Sequence, residues 1–211
     1  EGHTKWDRFI RNWGISFLID DDILFDTFGK PSVLFRNMKK QNVDIFKIKH
    51  IIISHEHWDH INGLWKILKL NNNLTVYICQ HTPEAIKTKI KSFGAKIQEI
   101  DGQFKIKENV FSIGEMPSNY DGIYEQALCL KTEKGLVVLT GCAHPEIVQI
   151  IEKVKQQFGY NKNIYEVIGG FHLKDSSLQE IKNVVATLKS MDIKKFAPLH
   201  CTGKTAVDLF K

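Results

Sequence analysis

The chain has 211 residues, 43% of them hydrophobic and 25% charged, a balance that suits a soluble globular protein. No apolar run approaches the roughly 20 residues needed to cross a bilayer and no signal peptide is visible, so a membrane partner is not expected. The formal net charge of +5 comes from lysines on helix faces such as Lys87, Lys89 and Lys91, which gives a modest attraction for anions but no basis for nucleic-acid binding.

One domain spanning residues 1–211 fits this length better than two small ones. The chain opens at Glu1 rather than at a methionine, which leaves room for a missing N-terminal strand. Four cysteines, Cys79, Cys129, Cys142 and Cys201, show no paired spacing and fit a reduced, cytoplasmic setting.

In chain order, Ile15 to Ile19 and Ile23 to Phe25 read as short strands around Asp20-Asp21-Asp22. Pro31 to Gln41 reads as a helix with Leu34, Phe35 and Met38 on one face. Ile51 to Ile53 is a buried strand, and a helix is predicted over Ile61 to Leu68. Leu74 to Ile78 is the next strand, and Thr82-Pro83 caps a helix that ends at Phe93-Gly94. Ile97 to Ile100 and Val110 to Ile113 follow as strands around polar turns. Ala127 to Thr132 and Leu136 to Thr140 form a hairpin across Glu133-Lys134-Gly135, and Leu136 to Leu139 is apolar on both faces, as a covered strand should be. Pro145 opens a helix in which Ile147, Ile150, Ile151, Val154 and Phe158 recur at helical spacing. Ile164 to Ile168 is a strand, Ser177 and Glu180 make a capping box for the helix Leu178 to Met191, and strand Phe196 to Leu199 precedes a short helix from about Thr205. Strands with little helix at first, then two strand-to-helix units, predict an α/β (α+β) fold of two stacked sheets covered by helices, an αββα sandwich.

The chemistry concentrates in IIISHEHWDHING, residues 51–63. His55, His57, Asp59 and His60 can each give a metal an electron pair, and they follow an apolar strand directly. Alternate residues His55 and His57 can point the same way at one ion, while Asp59 and His60 face a second beside it. A polar loop whose histidines only cap a helix would not need three histidines and an aspartate in this order. Three later segments share one design, an apolar strand followed at once by a histidine: Val137 to His144, Val167 to His172 and Ala197 to His200. Strand ends on one rim of a sheet converge, so these histidines can meet although far apart in sequence. His3, His50 and His81 read as ordinary structural residues.

HxHxDH after a strand, continued by Ile61-Asn62-Gly63-Leu64, resembles the metallo-β-lactamase-fold hydrolases. GCAHPE, GGFH and HCTG are similar to the branch of that superfamily named for a dihydropterin synthase of methanopterin-type cofactor assembly, and the resemblance runs from about Gly14 to Leu209. It implies a four-layer metallo-β-lactamase sandwich with a dinuclear site, His55 and His57 on one metal and Asp59, His60 and His200 on the other. Where the family usually places a bridging aspartate this chain has Cys142, and the histidine normally found before the hairpin is replaced in the region of Tyr124-Glu125-Gln126. His144 is then the preferred source of the missing nitrogen, with Glu125 or Cys142 as a further ligand; otherwise Cys142 is a small buried thiol. Asp26 lies in Asp26-Thr27-Phe28-Gly29, where the family reads Asp-Thr-Gly, and is either an acceptor for a metal-bound histidine or a turn residue. His172 is assigned to substrate, protonating the leaving group or holding a phosphate, as a histidine after the corresponding strand does in related phosphodiesterases.

On this resemblance, two divalent ions would share a water whose pKa falls towards about 7, with Asp59 orienting the hydroxide. Nitrogen and carboxylate ligands fit zinc best, and manganese and iron accept the same set. The expected function is metal-dependent hydrolysis of a phosphate ester, on a small anionic substrate that is phosphorylated or pterin-like. The alternative within the branch is a transferase that displaces diphosphate from a dihydropterin while joining it to a phosphorylated aryl-amine acceptor. From another class comes a di-iron electron-transfer module, disfavoured because it normally needs an attached flavin domain. Nothing in the sequence speaks to oligomeric state.

Overall fold

The apolar run that precedes the histidine cluster becomes the middle strand of a five-stranded sheet. The computed structural model describes residues 13–119 and 122–210, so the reading of His3 lies outside the described residues. Its internal contacts sort into two compact units, Glu1–Asp101 and Gly102–Lys211.

In the first unit β3 (His50–Ile52) pairs in parallel with β2 (Ile23–Phe25) and β4 (Thr75–Cys79), and β5 (Lys96–Ile100) extends the parallel set beyond β4. β1 (Phe17–Ile19) closes the other edge as an antiparallel hairpin partner of β2. Parallel neighbours need long crossovers, and these carry α1 (Pro31–Lys40), α2 (Trp58–Leu70) and α3 (Glu84–Ser92). Leu34 and Met38 of α1, Leu64 and Ile67 of α2 and Ile90 of α3 share one apolar core with Ile51, Val76 and Ile78 of the sheet. α2 starts at Trp58, three residues before the predicted start. Its first turn closes on the His57 carbonyl, which accepts from His60 N (2.9 Å) and Ile61 N (3.1 Å), so Asp59 and His60 sit inside that turn. His50, read as structural, meets the Tyr77 hydroxyl through its Nδ1 at 2.9 Å.

The second unit holds six strands in the order β11-β10-β9-β8-β7-β6. β6 (Phe104–Lys107), β7 (Val110–Pro117), β8 (Tyr124–Thr132) and β9 (Gly135–Thr140) form an antiparallel meander. β10 (Ile164–Gly170) and β11 (Lys195–Leu199) add to it in parallel across α4 (Ile147–Phe158) and α5 (Leu178–Ser190), and α6 (Lys204–Phe210) ends the described chain. The apolar stripe of α4, Ile147, Ile150, Ile151 and Val154, packs with Ile181, Val185 and Leu188 of α5 over Val138 and Val167. The predicted capping box at Ser177 and Glu180 is present. α4 begins two residues after Pro145, with Glu146 as its N-cap at φ 73°. β6 was not predicted, and β7 and β8 are longer than expected. β10 also runs past Ile168 through Gly169 and Gly170, because the first glycine allows β9 to approach: a Cβ on Gly169 would collide with the Thr140 carbonyl oxygen.

Candidate metal centre

In the first unit the loop leaving β3 turns its polar side chains towards the loop after β2. Asp26 is fully buried and has a left-handed backbone, φ 60°. Its Oδ1 accepts from Ser54 N (2.7 Å), and its Oδ2 accepts from Ser54 Oγ (2.8 Å) and His60 Nδ1 (2.7 Å). Because Ser54 Oγ donates to Asp26, it accepts from His55 Nδ1 at 2.9 Å. One carboxylate thus fixes the tautomer of two imidazoles, His60 directly and His55 through Ser54. The other ring nitrogens then face further donors: His55 Nε2 stands 3.1 Å from His57 Nδ1, and His60 Nε2 stands 3.4 Å from Asp59 Oδ2. The His55 ring centroid is 4.7 Å from that of His57 and 4.2 Å from that of His60. All four residues singled out in the sequence therefore meet within this unit. Of the two roles open to Asp26, the hydrogen bonds select the acceptor, and the positive φ shows that it also makes the turn.

Burial by itself would push the His60 imidazole down, but the Asp26 carboxylate, with help from Asp59, raises it to about 10. Burial pushes the Asp26 carboxyl up against the pull of His60 and Ser54. The proton between them belongs on His60 Nδ1, where Asp26 can accept it. The loop is locked onto α2 by Thr27 N, which donates to the His60 carbonyl at 2.7 Å, and by Thr27 Oγ1, which accepts from Leu64 N at 3.0 Å. Gly63 makes that approach possible, since a Cβ there would collide with the Thr27 carbonyl oxygen.

In the second unit the ends of β9, β10 and β11 converge on one rim, as their repeated design predicted. Gly170 N donates to the Gly141 carbonyl (3.1 Å), Phe171 N to Thr202 Oγ1 (3.0 Å) and Cys201 Sγ to the Cys142 carbonyl (3.3 Å). Cys142, His144 and His172 each bring one donor atom within 4.8 Å of the others, and Cys142 lies within the same distance of a His200 nitrogen. The His144 and His172 ring centroids are 4.4 Å apart. Cys142, His144 and His200 are buried, and His172 is exposed. Ala143, Glu146, His172 and His200 all have φ between 51° and 73°; such clusters of unfavourable backbone persist where surrounding contacts hold them. The residue that holds this loop is Glu125, which is 1% exposed. Its Oε1 accepts from Cys142 N (2.8 Å) and Ala143 N (2.9 Å), and its Oε2 from His144 N (2.9 Å). Glu125, weighed from sequence as a ligand, has both carboxylate oxygens engaged in positioning Cys142 and His144. Burial would raise the Cys201 thiol, yet hydrogen bonds with Cys142 and His172 and the charge of His200 hold it well below the usual range.

Imidazoles with their far nitrogens fixed, a carboxylate and a thiol are the donor types that divalent metals take, so the residues fit such an ion. Comparison with known proteins agrees. The chain matches the description "Metallo-beta-lactamase superfamily" over residues 16–152, and it belongs to that superfamily, whose fold binds divalent metal. It is 31% identical, over 93% of its own length and 83% of the relative's, to the 7,8-dihydropterin-6-methyl-4-(β-D-ribofuranosyl)-aminobenzene-5'-phosphate synthase of Methanocaldococcus jannaschii. Among solved structures it is similar to a metal-dependent hydrolase of the beta-lactamase superfamily, with a TM-score of 0.79 and 29% identity over 93% of this chain and 84% of that one. A metallo-beta-lactamase fold protein from Bacillus subtilis, at 14% identity and a TM-score of 0.53 over 90% of this chain and 89% of that one, shows the shared fold alone. The fold and the branch expected from the motifs are both borne out.

Proposed function

We propose that this protein is a metal-dependent hydrolase with a dinuclear site, acting on a phosphate ester, and that residues 1–211 work as one domain. The proposed ligands are His55, His57, Asp59, His60, His144 and His200, with zinc the best fit and manganese or iron able to take the same places. The observation that carries the reading is the orientation of His60, whose Nδ1 donates to buried Asp26 while its Nε2 faces Asp59, as metal-binding imidazoles are held. When bound, such ions supply Lewis acidity and an acidified water. Asp59 would orient that water. His172, exposed and beside His144, would protonate the leaving group or hold the phosphate. The proposed substrate is a small anionic molecule, phosphorylated or pterin-like, and not a nucleic acid. Four buried cysteines without paired spacing support a reducing, cytoplasmic setting, and no described helix is long and apolar enough to cross a membrane.

The test is turnover of bis-p-nitrophenyl phosphate with added zinc or manganese. Hydrolysis is expected, is abolished in His55→Ala, and falls roughly a hundredfold or more in His172→Ala while metal is retained. Lactones or thioesters turning over far faster than every phosphate ester would overturn the substrate class. Metal lost in parallel with turnover would make His172 a ligand, a role its proximity to Cys142 and His144 also permits.

A second reading is favoured by the relative at 31% identity, which is named a synthase. If diphosphate were released only when a dihydropterin diphosphate and an aryl-amine acceptor were both supplied, transfer would replace hydrolysis. The di-iron redox alternative requires a coloured iron protein, so a colourless zinc or manganese preparation contradicts it.

A further inference from the structure

A cavity of about 270 Å³ in the second unit opens beside His144 and His172. Its size falls just under the roughly 300–1,000 Å³ of sites that enclose a whole drug-sized ligand, so it has room for one bicyclic ring rather than for a complete substrate. Ile147, Phe171, Leu173 and Val184 give it apolar walls, and its charged lining is Glu146 and Glu180 with no lysine or arginine. In a chain with 29 lysines and arginines against 24 acidic residues, a cavity that beyond its His144 and His172 edge carries two carboxylates and no lysine or arginine is a poor place to hold a phosphate. The starts of α4 and α5 lie here, and helix N-termini attract anions. The start of α5 already has its own, since Glu180 Oε2 accepts from Ser177 N at 2.7 Å, and the start of α4 carries Glu146 as its N-cap residue, with the carboxylate Oε1 accepting from Asn119 Nδ2 at 3.0 Å. A phosphate entering would meet two negative charges.

We propose that this cavity takes the flat, uncharged heteroaromatic ring of the substrate, one whose edge carries amidine-type N–H donors, as a pterin's does, and that the phosphate-bearing end stays outside it. The inference rests on the pterin-like substrate of the proposed function and adds which end of that substrate is held here. The ring lies between the apolar walls, its N–H edge donates to Glu146 or Glu180, and its far edge faces His144 and His172. An aryl carboxylate of similar size is excluded by charge.

The probe is pterin itself, whose fluorescence is titrated against the metal-loaded protein. Saturable quenching is expected, unaffected by a large excess of inorganic phosphate, with p-aminobenzoate displacing pterin only at concentrations well above that of the pterin. Asn183→Trp, at an exposed position on the cavity wall, and Val184→Trp should each weaken pterin binding at least tenfold with metal content unchanged. Glu146→Gln should weaken it as well. Displacement of pterin by inorganic phosphate, tighter binding of p-aminobenzoate, or wild-type affinity in both tryptophan variants would overturn the proposal. Metal-dependent diester turnover without pterin binding overturns this inference alone, whereas pterin binding without such turnover leaves it standing and overturns the hydrolase reading.

Discussion

Replacing Asp26 with alanine is expected to destabilise the metal-free protein by about 3–5 kcal/mol, the range for removing one partner of a buried pair. That is a large share of the roughly 5–15 kcal/mol that holds a domain together. The carboxylate accepts from Ser54 N, Ser54 Oγ and His60 Nδ1 in a site closed to water, so its loss strands three donors at once. The effect should depend on pH. With Asp26 present, His60 is raised from 6.5 to about 10, so its stabilising contribution is complete below the lower value and is lost as pH rises through the upper one. Without Asp26, burial pushes the same imidazole down and its protonation in acid opposes folding. Urea unfolding should therefore show a wider gap between wild type and Asp26→Ala at about pH 5 than at about pH 8. A gap below about 1 kcal/mol at both would contradict the role given to Asp26.

Gly63→Ala sets two effects against each other. In an exposed helix the change would gain roughly 1 kcal/mol of propensity. Here the new Cβ would collide with the Thr27 carbonyl oxygen and lie 2.8 Å from Leu34 Cδ2. The colliding atom is backbone and cannot rotate away, so the strain should reach the upper part of the roughly 1–3 kcal/mol that overpacking costs. The net expectation is a Tm lower by roughly 4–8 °C in a chain of this length. The loop carrying Asp26 would shift off α2, so metal retention should fall with it. A higher Tm would mean that the loop yields easily and that propensity wins.

The ligand cluster on the first unit was legible because its members lie side by side in the chain, and HxHxDH after a β-branched run says where they point. Asp26 was legible only as one of two roles, acceptor or turn residue, and the positioning role of Glu125 was not legible, since each acts on residues 17 to 34 positions away through hydrogen bonds that leave no local pattern. α4 was legible from its spacing of isoleucines, whereas β6 was missed because Phe104-Lys105-Ile106-Lys107 buries only Ile106. Such a strand at a sheet edge reads as a polar turn, its lysines being the kind of charge that keeps edges from pairing further. The start of α2 was placed late because Trp58, Asp59 and His60 show no apolar period; the His57 carbonyl, not the side-chain pattern, begins that helix.

Whether these histidines hold metal is decided by elemental analysis of the protein purified without chelators, on wild type, His57→Ala and His200→Ala. About two divalent ions per chain are expected in the wild type, with a loss in each variant, because each removes one proposed ligand. A stoichiometry well below one, unchanged by either substitution, would contradict the dinuclear site.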